Sequence, residues 1–372
     1  MRCGIFSYIR NTFILLLLYP KLSFALIGFS DAIFPELVPS NRALAMGNAY
    51  ICKVDDSASA LYNPAGLGSV RWFHFHLTNL YLEESKGWMD ASSGGSVTAM
   101  SSNLSKGFSL DGIRQLMQAH TGSISHSRMA AMPNITSRYF SVGYLYSKTT
   151  RGTVGMEPGA LFEYAERRDH GPYASLNISL FGGIFKLGAS YVYLKRTEVN
   201  DEADANEEVK LEDNDYSKGS MGYITLGTKL TLPVFFLPTF AAVIHNSSDT
   251  DFKQQSSTGK PDKIKKTMDV GFSLTPQIGK TTRIHLEVNL KDSQNAYGDV
   301  ASSRKVAFGA EIDFGRRVFL RYGYGDGFGS GGIGLRAKQL EFDLTTYAVD
   351  ATSNEFRGQE DRRYAISLSS GF

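Results

Sequence analysis

Residues 283–291 read Arg-Ile-His-Leu-Glu-Val-Asn-Leu-Lys, with an aliphatic side chain at every even position and a polar or charged one at every odd position. A helix would scatter those charges around its axis, whereas a strand sends alternate side chains to opposite faces. The segment is therefore a strand with one greasy and one wet face. Ala174, Leu176, Ile178 and Leu180 alternate in the same way with Ser175, Asn177 and Ser179, and Val306, Phe308, Ala310 and Ile312 with Lys305, Ala307, Gly309 and Glu311. A soluble sandwich also buries one face of each sheet, so the connections have to decide between sandwich and membrane barrel.

Short turns at 181–183, 232–238, 278–280, 314–316 and 337–339 alternate with polar stretches at 200–218, 247–263, 292–303 and 350–360, the compact 326–329 being an exception. Tight turns on one side and long loops on the other are the pattern of outer-membrane barrels. A first strand is expected over 71–83 and the next over 138–149, with 129–135 able to extend it up to a break at Pro133. The spacing predicts an all-β, transmembrane antiparallel β-barrel of about 14 strands, an even number as closure usually requires. Its last strand places Tyr364, Ile366, Leu368 and Phe372 on one face and ends on an aromatic, like the C-terminal signal read by the barrel-assembly machinery. Outer-membrane lipid is the expected surrounding of the other strands as well.

Composition agrees where it bears on this choice. Charged residues make up 20% of the chain, which argues against a bundle of membrane helices, while 37 Gly, 24 Phe and 19 Tyr suit tight turns and aromatic girdles. The 39 Lys and Arg nearly cancel the 37 Asp and Glu, leaving no broad positive field for nucleic acid. At the N-terminus Arg2 and Arg10 flank a basic region, 13–19 is apolar, and Ser23-Phe24-Ala25 offers a cleavage site, so 1–25 reads as a signal peptide. Its removal leaves Cys52 as the one remaining cysteine and no intramolecular disulfide.

The domain reading is then leader 1–25, plug 26–70 and barrel 71–372, with 84–137 a long first extracellular loop. That loop is long enough to carry structure of its own. Ser109 is a suitable N-cap, and Leu110, Ile113, Leu116 and Met117 form an apolar stripe at helical spacing before His120 and Gly122. Two readings stand: a helix packed over the barrel mouth, or a stripe in which Leu110, Ile113 and Met117 line a hydrophobic entry groove.

Two short motifs precede the barrel. Residues 41–50 read Asn-Arg-Ala-Leu-Ala-Met-Gly-Asn-Ala-Tyr, and 54–67 run through Asp55-Asp56 to Asn63-Pro64-Ala65-Gly66. Asp55 or Asp56 can cap a short helix, Asn63 and Pro64 stop it, and Gly66 allows a tight exit. This run resembles the N-terminal hatch of the long-chain fatty-acid transporter (FadL-like) superfamily, with its Arg-Ala-x-x-Met-Gly-x-Ala, Asp-Asp-Ala and Asn-Pro-Ala-Gly elements; Ser57 intrudes in the second. Arg321-Tyr322-Gly323-Tyr324, 331–335 and 362–366 look closest to the PorV-like and TraF-like branch.

The resemblance implies a plugged fourteen-stranded barrel taking up small hydrophobic molecules, long-chain fatty acids among them. It makes Asn63, Pro64, Ala65 and Gly66 the gate, and Arg42, Gly47, Asp55 and Asp56 residues of the hatch packing. The same branch implies a rival role, an accessory barrel that docks secreted proteins or a component of a secretion or conjugation apparatus. Where the fatty-acid branch kinks an early strand to open its wall, the residues between Gly159 and Arg168 hold no Gly or Pro to mark a kink.

Catalytic chemistry finds little footing. His245 and Ser247 share a strand face, but Asn246 points to the opposite side and is badly placed to orient the histidine. His74 and His76 share a face as two ligands where a closed zinc site wants four. The acidic run 201–215 lacks calcium-loop spacing and reads as a solvated loop, and the glycines of 323–334 hold no phosphate-loop pattern. No catalytic residue, metal or cofactor is expected.

Overall fold

The computed structural model describes residues 31, 33–71, 73–93, 103–352 and 356–371. The leader 1–25 and the terminal Phe372 lie outside the described residues.

Fourteen strands form the wall: β1 (His74–Ser85), β2 (Ile124–Ala131, continued in Asn134–Thr136), β3 (Phe140–Val154), β4 (Phe162–Leu180), β5 (Phe185–Ala203), β6 (Ser217–Thr231), β7 (Thr239–His245), β8 (Thr267–Leu274, continued in Gln277–Ile278), β9 (Thr282–Leu290), β10 (Val306–Phe314), β11 (Val318–Gly325), β12 (Phe328–Arg336), β13 (Leu340–Asp350) and β14 (Glu360–Gly371). Each pairs antiparallel with its neighbours in sequence. The ring closes where β1 meets β14, with Leu80 opposite Leu368 and Leu82 opposite Ile366. Closure gives every strand edge a partner, which a sheet in lipid requires because no water is there to satisfy free backbone groups.

The wall is polar inside and apolar outside. In β4, Leu176 and Ile178 are 65% and 63% exposed, while Ser175 and Asn177 between them are buried. In β9, Leu286 and Leu290 face out, and His285, Glu287 and Asn289 face the lumen. Exposed Tyr364, Ile366 and Leu368 put the same pattern on the closing strand. An apolar outer belt over a polar lining is the inverse of a soluble core and marks a transmembrane barrel of the outer-membrane type. Apart from the turn at 326–327, the tight turns gather at one end, which by the same rule faces the periplasm.

The second strand begins at Ile124, well before the start expected at 138, and Phe140–Val154 is the third. Pro133 breaks β2 because it lacks an N–H, and Asn134 turns its side chain back to the Met132 carbonyl at 2.7 Å. The outer part of β2 escapes the alternation rule for a physical reason. It rises beside two loop helices, α1 (Lys86–Ser93) and α2 (Leu110–Gln118), so Ser125, His126 and Ser127 are all buried. The connection above β1 is correspondingly shorter than 84–137, since Glu84 and Ser85 belong to β1.

β4 runs without interruption from Phe162 through Arg168, and its ladder to β5 lapses just beyond, between His170 and Tyr173, where Pro172 has no N–H to offer. Turn chemistry follows residue type. Asp326 and Gly327, with φ of 52° and 88°, close the two-residue hairpin between β11 and β12 in the doubly left-handed form that Asp-Gly favours.

Candidate functional site

Residues 33–70 fill the lumen. Ile33, Phe34, Leu37, Val38, Leu44, Met46, Tyr50, Val54, Leu61 and Tyr62 pack into a cluster with inward Tyr81, Leu145, Tyr173, Val192, Tyr223 and Tyr347. The plug thus carries its own apolar core inside a polar tube. It contains helices α3 (Asn41–Ala45) and α4 (Ser59–Tyr62) and a 3₁₀ turn, Pro64–Ser69. Gly47 and Asn48, at φ of 62° and 66°, reverse the chain after α3. A side chain at Gly47 would come within 2.5 Å of the Tyr324 backbone, so glycine is what lets the plug lie directly on β11.

The clamp is ionic. Arg42 grips Glu311 of β10 through two parallel bonds, Nε to Oε2 and Nη2 to Oε1, each 2.7 Å, and its Nη1 reaches Asp55 at 2.7 Å. Arg321 of β11 adds a bond to Glu311 at 2.9 Å and pairs with Asp343. Glu287 of β9 accepts the backbone N–H groups of Cys52 and Lys53 at 2.8 and 2.9 Å. Burial works against ionisation of Asp55, but Arg42 and Lys53 outweigh it and hold its carboxyl well below the usual carboxylate range. At the plug's first described residue, Asp31 pairs with Arg151 and with Arg363, the latter at 3.0 Å. Burial raises the Asp31 carboxyl and these cations bring it well below its ordinary value.

Three cavities follow one another along the lumen. A vestibule of about 900 Å³ opens at the long-loop end, with Phe34, Pro35, Glu36 and Leu37 on its floor. Beneath that floor lies a small cavity of about 90 Å³ lined by Val38 to Arg42, Asp55 and Asp56. A third, of about 330 Å³, reaches the tight turns; it shares Arg42, Asp55, His74 and His76 with the second. The segment Phe34–Val38 therefore separates the vestibule from the two inner cavities. Arg128 of β2 holds that segment by donating from Nη2 to the carbonyls of Glu36 and Leu37, both at 2.9 Å. Phe34 lies against Tyr347 with ring centroids 5.2 Å apart.

The residues singled out in the sequence divide accordingly. Arg42, Asp55 and Asp56 come together beside the cavities, and Gly47 marks the contact with β11. Asn63, Pro64, Ala65 and Gly66 lie across the lumen against β5 and β6 and line none of these three cavities. Asn63 acts as a staple: Oδ1 caps the 3₁₀ turn by accepting Ala65 N–H at 3.1 Å, and Nδ2 donates to the carbonyls of Ile51 and Thr228 at 2.9 and 3.3 Å. Pro64 and Ala65 press on Gly188, where a Cβ would meet them at 2.2 Å.

Leu110, Ile113 and Met117 are buried too. With Trp88, Phe162, Tyr164 and Val199 they form a closed outer core, capped by Val209 and Leu211 of the acidic loop. That loop is more than a solvated run: Arg114 Nη1 donates to the Ala205 carbonyl at 2.7 Å and draws it onto α2.

The segment Phe34–Val38 and its partner Arg128 did not stand out in the sequence. A proline inside an apolar stretch and a lone arginine in a polar strand carry no motif. His245 Nε2 faces Asp269 at 3.6 Å, while Asn246 turns its amide to loop carbonyls. His74 and His76 stack with ring centroids 5.5 Å apart, and among the described residues no three potential ligands group to hold a metal.

No family model matches the chain, and no curated protein matches it. Among solved structures it is similar to the CymD monoaromatic hydrocarbon channel (9% identity, 89% of this chain and 97% of that one, TM-score 0.49) and to a Pseudomonas aeruginosa FadL homologue (9% identity, 91% and 99%, TM-score 0.32). It is also similar to the Salmonella typhi outer membrane phospholipase OMPLA (8% identity, 80% and 90%, TM-score 0.29). The chain's own strand pairing and inverted polarity define it as a closed, plugged β-barrel of the outer-membrane type.

Proposed function

We propose that the chain is a gated outer-membrane channel for uptake of small hydrophobic molecules, with Phe34–Val38 as the barrier. The observation that carries this reading is the separation of clamp from barrier. Arg42, Glu311 and Asn63 fix the body of the plug, whereas Phe34–Val38 lies between two cavities on a few bonds of its own: Arg128 to its backbone, and Asn48 and Lys291 to the Glu36 carboxylate. Breaking those bonds and moving that segment joins the vestibule to the inner cavities while the Arg42–Glu311 clamp stays in place. The lining mixes Phe34, Leu37 and Phe319 with many charges, which favours an amphiphile with a polar group over a bare hydrocarbon. Export through the leader 1–25 and insertion through the strand ending at Phe372 complete the proposal.

The test is uptake into liposomes carrying the full chain. Arg128→Ala and Phe34→Gly are expected to raise uptake of a small aromatic acid severalfold with the barrel intact. Unchanged, negligible uptake in both variants would refute the channel reading.

A second reading, an accessory barrel that docks a secreted protein or secretion component, draws on the turn between β6 and β7. Residues 232–238 read Leu-Pro-Val-Phe-Phe-Leu-Pro, and Phe235 is 82% exposed at the tight-turn rim. Phe236 and Leu237 hold left-handed φ of 67° and 47°, a conformation that costs bulky residues about 1 to 2 kcal/mol each. Retention of a stoichiometric protein partner from outer membranes, lost when Phe235 and Phe236 become Ser, would favour this reading.

A further inference from the structure

The innermost cavity, under the plug at the tight-turn mouth, is out of charge balance. Its lining holds seven Lys and Arg side chains and three Asp and Glu. Some of these cations are already engaged: Arg42 with Glu311 and Asp55, Lys53 near the same carboxylates, and Arg336 with Glu341 at 2.7 Å. Besides Lys338 of the β12–β13 turn, three arginines, Arg71, Arg283 and Arg316, have no ion pair among the described residues. They come from three separate elements: the plug exit, the start of β9 and the β10–β11 turn. Arg283 stands directly opposite Asp313 in the ladder, yet Asp313 spends an oxygen on the Arg316 backbone N–H at 2.6 Å. Partial desolvation at the recess makes the Arg71 cation harder to hold, and the charges of Arg316 and Arg283 make it harder still.

Three guanidinium groups brought to one recess repel one another unless an anion sits among them. Each presents a planar fork suited to two oxygens of a phosphate or carboxylate, which lysine does not. The recess, about 330 Å³, admits a phosphate group with part of whatever bears it, and its roof carries the stacked His74 and His76. We propose that Arg71, Arg283 and Arg316 form a phosphate-binding site at the periplasmic mouth, its ligand being free phosphate or the headgroup of an anionic inner-leaflet phospholipid. This site requires no movement of solute through the lumen.

Binding of inorganic phosphate to the full chain in neutral detergent is followed by calorimetry. In parallel, phosphatidylglycerol bound to the chain in mixed nanodiscs is quantified by native mass spectrometry. Arg71→Gln/Arg283→Gln is compared with Lys280→Gln, a cation of the same rim that does not line the recess. Arg71→Gln/Arg316→Gln, both at exposed positions, guards against a folding defect. Saturable phosphate binding weakened about tenfold or more by either double variant but not by Lys280→Gln identifies free phosphate as the ligand. Retained phosphatidylglycerol with the same dependence, and no response to free phosphate, identifies the lipid headgroup. Absence of both, or equal loss in Lys280→Gln, overturns the site. Liposome uptake measured on the same variants keeps this result separate from that of the channel reading.

Discussion

Arg42 of the plug and Glu311 of β10 meet through two parallel 2.7 Å bonds, both side chains almost fully buried. A buried pair of this kind contributes little against an apolar isostere, but removing one partner leaves a buried charge only partly compensated, by Asp55 for Arg42 or by Arg321 for Glu311. Glu311→Ala or Arg42→Ala is therefore expected to destabilise the folded barrel by about 3 to 5 kcal/mol. Urea unfolding of the detergent-solubilised chain measures this. The double change Arg42→Leu/Glu311→Leu should cost distinctly less than either single one, and an equal cost would show that charge burial is not the source.

Gly323 faces the plug, and a Cβ there would lie 2.1 Å from Gly47 N. Gly323→Ala forces the plug away from β11 and is expected to cost about 1 to 3 kcal/mol, the range for overpacking. Limited proteolysis should show plug residues 33–70 cut faster in this variant while the heat-shifted gel mobility of the barrel persists.

Ile113 is fully buried in the outer core between α2 and β3 to β5. Ile113→Ala should destabilise by about 2 to 4 kcal/mol through lost burial and a cavity, read as earlier thermal loss of the loop helices. Solute uptake should stay at the parent level. A change in uptake with unaltered stability would return this stripe to the role of an entry groove.

Asp31 and Asp55 both have folded-state pKa values depressed by neighbouring cations despite burial. Their contribution to plug retention is complete above the unfolded carboxylate pKa of about 4 and is lost as pH falls through the depressed folded values. Conductance of the chain in planar bilayers should therefore be flat from about pH 5 to 8 and rise only below about pH 4. A step near pH 6 would instead show that these two carboxylates do not govern plug retention.

Much of the wall could be read from residue order, because strand geometry converts alternation directly into two faces. Leu286, Glu287 and Val288 need no partner to declare their sides. The turns were as plain, since Gly182, Gly279 and Gly315 stand where the chain must adopt positive φ. The beginning of β2 was hidden because alternation reports lipid contact, and Ser125 to Ser127 have left the lipid belt for a helix-covered flank.

The run 63–66 stood out in the sequence for a related reason. Asn63-Pro64-Ala65-Gly66 is conspicuous because capping and a tight turn demand those residue types locally. A barrier needs only bulk at the right height in the tube. The proposed barrier residues Phe34 and Leu37 are placed in part by Arg128, ninety-one residues away from Leu37 in the chain, and no local pattern encodes that.

The wall is also uneven in height. β4 and β5 hold 19 residues each, whereas β10 and β12 hold 9 and β11 holds 8. About 9 to 11 residues suffice to cross the bilayer, so one flank stands as a parapet beyond the outer leaflet while the opposite flank ends near the lipid surface. Approach to the vestibule is thereby directional. The rim is high and acidic over β4 and β5 and low over β10 to β12, so a large particle and a small one meet two different edges.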